Sequence, residues 1–466
     1  MPRAQSKLDF IPPRFNTLIL RLLHWSLPVL QRWRLQPWLP AGIGKIEIVN
    51  GESLVELFAR FQMGKIRLIL AFRHCEVDDP LSGLHLLSRG IPKIARQQNI
   101  DLKTPIHSHF MYDRGMTIWA GDWLGWLFSR IGGVPVHRGK ALDLRAIEKI
   151  RELLLDGRFP LVVAPEGATN GHSEIVSPLE PGVAQLAFWN VEDLAKANRV
   201  EETIVVPINI QYHYLNPQWS KLDRLLTNLE RDCGLSPLSA SNDSSNITGE
   251  LYYSRLLRIG NYLVSEMEEF YRCFYHYQLP VAELNLPEAE ANLTARLQKL
   301  LDVSLQAGES YFNLKPNGNV IKRCRRLEEA GWKYIYRYQP EELENLSPVR
   351  RGLADWIAAE AELRMLHMRL AESFVAVTGT YVKDRPSFER FAETSLILFD
   401  AIARIKGNKS PRRPRLGWRK STVTVGKPIN VSRRATTYRQ NRQSAKKAVA
   451  QLTQDLQTAL EEMIVS

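Results

Sequence analysis

Apolar positions along this chain follow two patterns. In the first half they come in short runs: KIEIV (45–49), RLILAFR (67–73), VPVHR (134–138), FPLVVAP (159–165) and TIVVPINI (203–210). Runs this short, rich in β-branched residues and bounded by turn formers, predict mostly buried strands. Helical periodicity lies between them, as in ALDLRAIEKIRELLLDG (141–157), where Gly157 supplies a C-cap. Strands alternating with helices predict an α/β layered domain with a mostly parallel sheet. Pro207 lacks a backbone donor, which points to an edge strand or a lined cavity.

The second pattern begins after a polar stretch, SPLSASNDSSNITGE (236–250). Long helical segments follow, the clearest at 251–277, 352–377 and 388–405. Strand character returns in STVTVGKPI (421–429) and is followed by a helical pattern, SAKKAVAQLTQDLQTALEEMI. The expected organisation is therefore a main α/β part (45–214), a large helical insertion (215–420), and a closing strand and helix (421–466). Ahead of these, residues 1–44 contain an N-terminal amphipathic helix. Phe15, Leu18, Ile19 and Leu22 share one helical face, flanked by Arg14, Arg21, Arg32 and Arg34, with Trp25 and Trp33 beside them. Such a helix fits a membrane surface or the protein's own core equally well.

Composition narrows the class. With 44% hydrophobic and 24% charged residues, the 466-residue chain is a foldable globular protein. Its 62 Lys and Arg against 50 acids give +12 and a pI near 9.5, which favours anionic partners. Four dispersed cysteines form no CxxC pair, so a metal or redox motif is not expected, and a reducing compartment is. Arg21 and Arg32 interrupt the N-terminal apolar stretch, against a secretory signal. No uncharged apolar run reaches the roughly 20 residues of a spanning helix.

Four short stretches carry candidate chemistry. In RHCEVDDP, His74 and Asp79 follow a strand directly. Histidine is a suitable general base near neutral pH, and a carboxylate on its other ring nitrogen fixes the tautomer. Five residues of helix rotate about 140° off one face. The pair can therefore meet only if His74 lies in the strand-to-helix turn and Asp79 at the helix start, a boundary that Pro80 supports. Asp78 is a competing carboxylate. In APEGATNG (164–171), Glu166 can hold a polyol hydroxyl or orient a backbone group, and Gly167 permits close approach to the backbone. GGVPVHRGK (132–140) ends in Arg138 and Lys140, cations suited to a phosphate. IVVPINI is the fourth.

In order and spacing, RHCEVDDP, GGVPVHRG, APEGATNG and IVVPINI resemble the four consecutive blocks of the phospholipid/glycerol acyltransferase superfamily (1-acylglycerol-3-phosphate acyltransferase-like). TVGKPI is similar to that family's closing strand. The resemblance covers about 45–214 and 421–466. It implies catalysis by His74 with Asp79, and acceptor binding by Arg138, Glu166 and Gly167, with Lys140 a further cation nearby. It implies acyl-CoA or acyl-carrier protein as donor, direct attack without an acyl-enzyme, and neither metal nor cofactor. The acceptor would be a lipid hydroxyl, of lysophospholipid or glycerol-phosphate type, at the cytoplasmic face of a membrane. Three departures bear on the acceptor. Arg73 stands where many members have Asn before the histidine. Ala168 and Thr169 follow Glu166-Gly167 where Thr-Arg is usual, removing the arginine assigned to the acceptor phosphate. The helical insertion lies outside the common pattern. Arg138, Lys140 or Arg73 could replace that arginine, or the acceptor could be a non-phosphorylated lipid or isoprenoid alcohol.

Two further segments could serve a membrane. GMTIWAGDWLGWLFSR (115–130) is aromatic-rich, and a core helix is the expectation for such a segment. The acid-free run 404–420 holds eight cations, suited to an anionic bilayer. The competing class is a non-catalytic basic membrane- or nucleic-acid-binding protein. No nucleic-acid motif supports it, and charge alone gives unspecific binding. A thioester hydrolase using the same site is a third option.

Overall fold

The computed structural model describes residues 3–8, 10–34, 42–137, 143–238, 247–279, 286–374, 381–408 and 411–465. The chain divides into two compact units. One comprises Phe10–His137, most of 143–216 and Gly417 onward; the other is built from Pro217–Leu416 with the described residues of 3–8.

The first unit is α/β with a mostly parallel sheet. In chain order its elements are α1 (Thr17–Arg32), β1 (Ile43–Val49), α2 (Gly51–Gln62), β2 (Ile66–Phe72), α3 (Asp79–His85), α4 (Ile91–Gln97), β3 (His109–Asp113), α5 (Met116–Ala120), α6 (Asp122–Arg130), β4 (Gly133–Val136), α7 (Leu144–Asp156), β5 (Leu161–Val163), α8 (Gly182–Lys196) and β6 (Glu202–Tyr214). A π-helical turn, Leu86–Gly90, joins α3 to α4. Strand β2 is apolar at six of its seven positions and buried at all of them, as a strand covered on both faces must be.

The helical unit is spliced in after β6. It contains α9 (Trp219–Asp232), α10 (Ile247–Tyr275), α11 (Leu286–Tyr311), α12 (Val320–Ile335), α13 (Pro340–Glu344), α14 (Pro348–Phe374), α15 (Tyr381–Asp384) and α16 (Phe388–Ile405). The chain then returns as β7 (Arg419–Val425), β8 (Ile429–Asn430), α17 (Ala435–Arg439) and α18 (Arg442–Glu461). Departure and return are adjacent: the Leu215 N–H donates to the Trp418 carbonyl at 2.8 Å.

Among the described residues the sheet order is β1-β7-β6-β2-β5-β3-β4, with β8 also on β6. All neighbours run parallel except β6 with β7 and β8. Two apolar layers cover the sheet. One joins β2, β6 and β7 to α2, α3 and α4, with Phe58, Leu70 and Ile208 at its centre. The other joins β2, β4, β5 and β6 to α7, α8 and α18 through Ile150, Phe188 and Leu452.

Several expectations need correction. Strand β6 is central, not an edge. Pro207 fits there because the antiparallel partner changes beside it: β7 pairs with Ile208 onward, β8 with Ile204 and Val205. The intervening turn leaves no acceptor that needs a donor from residue 207, while its carbonyl still accepts from Gly426. Gly157 is the C-cap of α7 as expected, with an ordinary negative φ of −59°. Glycine is needed there for space, since a Cβ would lie 2.2 Å from the Leu153 carbonyl oxygen. The segment 115–130 is two helices broken at Gly121, and Ile118, Trp123 and Trp126 are exposed.

The N-terminal stretch is not one segment. Residues 3–8 pair within the helical unit, through Gln5 to Ile335 and Lys7 to Tyr338. Helix α1 packs on β1 and α3 of the α/β unit with Leu20 and Leu27 fully buried. Its exposed stripe is Leu18, Leu22, Trp25 and Val29, continued by Trp33, whereas Phe15 turns inward onto Phe159 at 5.0 Å between ring centroids. The 404–420 run is not a free polybasic tail. Arg404 donates to the Arg369 carbonyl, and Lys406, Arg413, Arg419 and Lys420 pair with Asp232, Asp400, Asp78 and Glu47.

Inside the helical unit, successive long helices are joined by arginine–glutamate pairs: Arg255 with Glu230, Arg296 with Glu268, Arg323 with Glu309 and Arg369 with Glu328. Arg255 and Glu230 have fully buried side chains 2.8 Å apart. Without Glu230, the buried Arg255 would keep only the half-exposed Asp223 and the Thr227 hydroxyl as side-chain partners. Glu230→Ala is therefore expected to cost about 3–5 kcal/mol, read as a lower denaturation midpoint for the helical unit.

Candidate active site

The turn from β2 into α3 places the first candidate residues. It leaves the sheet after Phe72, and α3 starts at Asp79 with Pro80 in its first turn. His74 lies in the turn and Asp79 at the helix start, so the five-residue spacing brings the two side chains together. His74 Nδ1 is 3.2 Å from Asp79 Oδ2. The His74 side chain is 24% exposed and that of Asp79 fully buried. A proton on Nδ1 shared with the carboxylate leaves Nε2 as the basic nitrogen.

A buried carboxylate must have its oxygens satisfied. Asp79 Oδ2 also accepts the Glu76 N–H at 2.8 Å, and Oδ1 accepts the Tyr212 hydroxyl at 2.7 Å. Asp78 faces elsewhere: its Oδ2 pairs with Arg419 of β7. The competing carboxylate is thus committed to an arginine 341 residues along the chain. Arg419 also lies over the Tyr212 ring, 4.5 Å from its centroid. Ser82 of α3 meets Ser421 of β7 at 2.8 Å, a second tie between the same elements.

The 164–171 stretch closes beneath His74. Glu166 is buried; its Oε2 accepts the His74 N–H at 3.0 Å and its Oε1 the Ser177 N–H at 2.9 Å. Of the two roles open to it, the geometry selects orientation of backbone groups. Gly167 has φ +72°, a left-handed conformation that favours glycine. Gly171 donates to the Cys75 carbonyl at 3.0 Å. Asn170 folds the loop on itself, donating to the Ile175 carbonyl and accepting from the His172 N–H.

Arg73 is fully buried. It donates to the carbonyls of His172, Ser173, Ile175 and Ile210 and to Asn209 Oδ1, and stands 3.8 Å from Glu166. It pins the 172–175 turn to β6 and is not placed to meet an acceptor phosphate. Thr169, at the position of the family's usual arginine, is exposed. Arg138 and Lys140 lie outside the described residues.

Residues 103–211 match the sequence model of the family described as Acyltransferase. The chain carries a domain of the phospholipid/glycerol acyltransferase superfamily. The matched span takes in Glu166, Gly167 and most of β6; His74 and Asp79 lie upstream of it. No curated protein and no solved structure matches the chain.

Sequence reasoning missed Tyr212 and Arg419. Both lie at the ends of strands it had recognised in part, and nothing local marks either as part of the His74 surroundings. The buried groups here titrate unusually. Burial pushes the Tyr212 hydroxyl and Cys75 thiol well up, and the Asp79 charge adds to both. Burial raises Asp78 from 3.8 to about 6 against the pull of Arg419. A raised folded-state value means that the fold favours the protonated carboxyl. This contribution to stability is complete below the usual 3.8 and is lost as pH rises through about 6. Asp78→Asn should flatten that part of the stability–pH curve. It should also lower stability at neutral pH by leaving Arg419 unpaired, both read from urea midpoints across pH.

Proposed function

We propose that this chain is a membrane-surface O-acyltransferase in which His74 is the general base and Asp79 its partner. The observation that carries the reading is the His74 Nδ1–Asp79 Oδ2 contact of 3.2 Å at the end of β2, with the imidazole partly exposed and the carboxylate buried. Nε2 removes the proton of a lipid hydroxyl as its oxygen attacks the thioester carbonyl of acyl-CoA or acyl-carrier protein. The C–S bond breaks, and the leaving thiolate takes the proton from the imidazolium. Ester and free thiol are the products. Asp79 stabilises the imidazolium formed between these steps. Glu166 serves by fixing the His74 backbone, and Gly167 by keeping the adjoining loop close.

The acceptor on this reading is a lysophospholipid or glycerol-phosphate type lipid, and Arg138 and Lys140 are the candidate cations for its phosphate. A second reading, an acceptor without a phosphate monoester, is favoured by two observations. Thr169 is uncharged at the usual arginine position, and Arg73 spends its donors on protein carbonyls. Purified full-length protein, incubated with palmitoyl-CoA or palmitoyl-acyl-carrier protein and a total lipid extract, separates these readings by mass spectrometry of the product. His74→Ala should lower acyl transfer by about 10²–10⁴-fold with the fold retained, and Asp79→Asn should act in the same direction. Activity within a few-fold of wild type in His74→Ala would remove this mechanism.

The proposed location is the cytoplasmic face of a membrane, as a peripheral or monotopic protein. Among the described residues no helix is long and apolar enough to cross a membrane. The exposed stripe of α1 supports one-sided contact, with Arg14, Arg21 and Arg32 exposed on the same helix and its approach. Helix α6 touches α1 and exposes Trp123 and Trp126. Indole rings and flanking arginines suit the headgroup boundary. Trp25→Ala with Leu22→Ala should weaken sedimentation with phosphatidylglycerol-containing vesicles by about ten-fold or more. Unchanged binding would place the contact elsewhere.

A further inference from the structure

We propose that Tyr212 is a positioning residue for this reaction: its hydroxyl donates to Asp79 and sets how strongly Asp79 holds His74. The inference rests on the proposed roles of His74 and Asp79 and adds a residue that the HxxxxD spacing does not contain.

The geometry is specific. Asp79 has two oxygens, each with a separate duty. Oδ2 faces His74 Nδ1 and the Glu76 N–H, and Oδ1 takes the Tyr212 hydroxyl at 2.7 Å. Tyr212 is buried, and its ring lies beneath the Arg419 guanidinium. Arg419 is in turn paired with Asp78. The ring is therefore clamped between neighbours, and its hydroxyl cannot leave Asp79 without breaking that packing. Because burial and the adjacent carboxylate push the phenol well up, Tyr212 keeps its proton and remains a donor.

A donated hydrogen bond draws negative charge from Asp79 Oδ1 and weakens what Oδ2 offers the imidazolium. Tyr212 thus holds the His74 base at an intermediate strength. The other charged or titratable groups around the pair are Asp78 and Arg419, Glu76, Cys75, Arg73 and Glu166. Arg419 is committed to Asp78, Arg73 to the 172–175 turn, and Glu166 to two backbone N–H groups. Glu76 reaches Asp79 through its backbone N–H, and the Cys75 sulfur stands 3.9 Å from Asp79 Oδ1. The tyrosine hydroxyl is the neutral side-chain donor at normal hydrogen-bond distance from this carboxylate.

The test is the pH dependence of kcat/KM for thiol release from palmitoyl-CoA with a total lipid extract, measured on the full chain. Tyr212→Phe keeps the ring under Arg419 and removes only the hydroxyl. It should lower kcat/KM on the order of ten-fold and move the acid limb to higher pH, because Asp79 then grips the imidazolium more tightly. A ring-fluorinated tyrosine at position 212 is a stronger donor and should move the limb to lower pH. A structural role alone would change thermal stability and leave the limb in place. His74→Ala is run in parallel. If His74→Ala is inactive and the two position-212 variants shift the limb in opposite directions, the proposal stands. If His74→Ala is inactive and the limb stays fixed in both, Tyr212 has no such role and the proposed function survives. Should Tyr212→Phe fail to fold, the fluorinated variant decides by the same criterion. If His74→Ala remains active, the proposed function falls and this inference with it.

Discussion

A carboxylate with no solvent contact, Asp79, makes the heaviest demand on the α/β unit. Sealing an ionised group away from water is costly unless hydrogen bonds replace the hydration. Here the replacements come from three places in the chain: the imidazole of His74, the backbone of Glu76 and the hydroxyl of Tyr212. The first two are local. The third requires that β6 run beside β2 in one register, with Phe72 opposite Ile208, so that the far end of β6 reaches α3.

That requirement reaches further through Asp78. Next to one buried carboxylate stands another, and two such neighbours need a cation. Arg419 supplies it from β7, and β7 exists in the sheet only because the chain returns from the helical unit. The Ser82–Ser421 contact and the Leu215–Trp418 hydrogen bond mark the same return. A helical segment of any length is compatible with this arrangement provided that its two ends emerge side by side. An insertion at this hairpin therefore leaves the register of β6 against β7, and the site with it, intact. The late TVGKPI strand belongs to the site's construction as much as RHCEVDDP does.

Much of this was legible in the sequence. Five apolar runs located β1, β2, β4, β5 and β6, because β-branched residues in short bounded runs have few alternatives. Pro80 fixed the start of α3 and made the His74–Asp79 meeting foreseeable. Strand β3 was not read, since its first residue and the two before it, His107-Ser108-His109, are buried polar residues that hydropathy counts as surface. Phe159 between the two histidine rings is what makes their burial tolerable, and no local pattern announces it. Pro207 misled for a related reason: a proline is excluded from a central strand only where a partner needs its N–H. Arg73 looked like a spare cation for a phosphate. Its use is visible only once the 172–175 turn is seen folded against it. Tyr212 and Arg419 meet Asp79 and Asp78 from 133 and 341 residues away, and a single sequence has no short-range signal for either.

The burial of these partners has a consequence for the proposed base. A histidine that gains and loses a proton in each turnover works best among groups that do not titrate with it. Tyr212 and Cys75 are pushed well up and stay neutral, while burial raises Glu166 against the pull of Arg73 and of its two backbone donors. Burial raises Asp78 as well, to about 6. When Asp78 takes a proton, the charge of Arg419 is no longer matched by its partner. That charge lies against the Tyr212 ring, whose hydroxyl donates to Asp79. It then opposes the positive charge of an imidazolium and supports the ionised form of Asp79. The two carboxylates of DD, adjacent in sequence, thus divide the work. Asp79 is fixed on His74, and Asp78 holds Arg419.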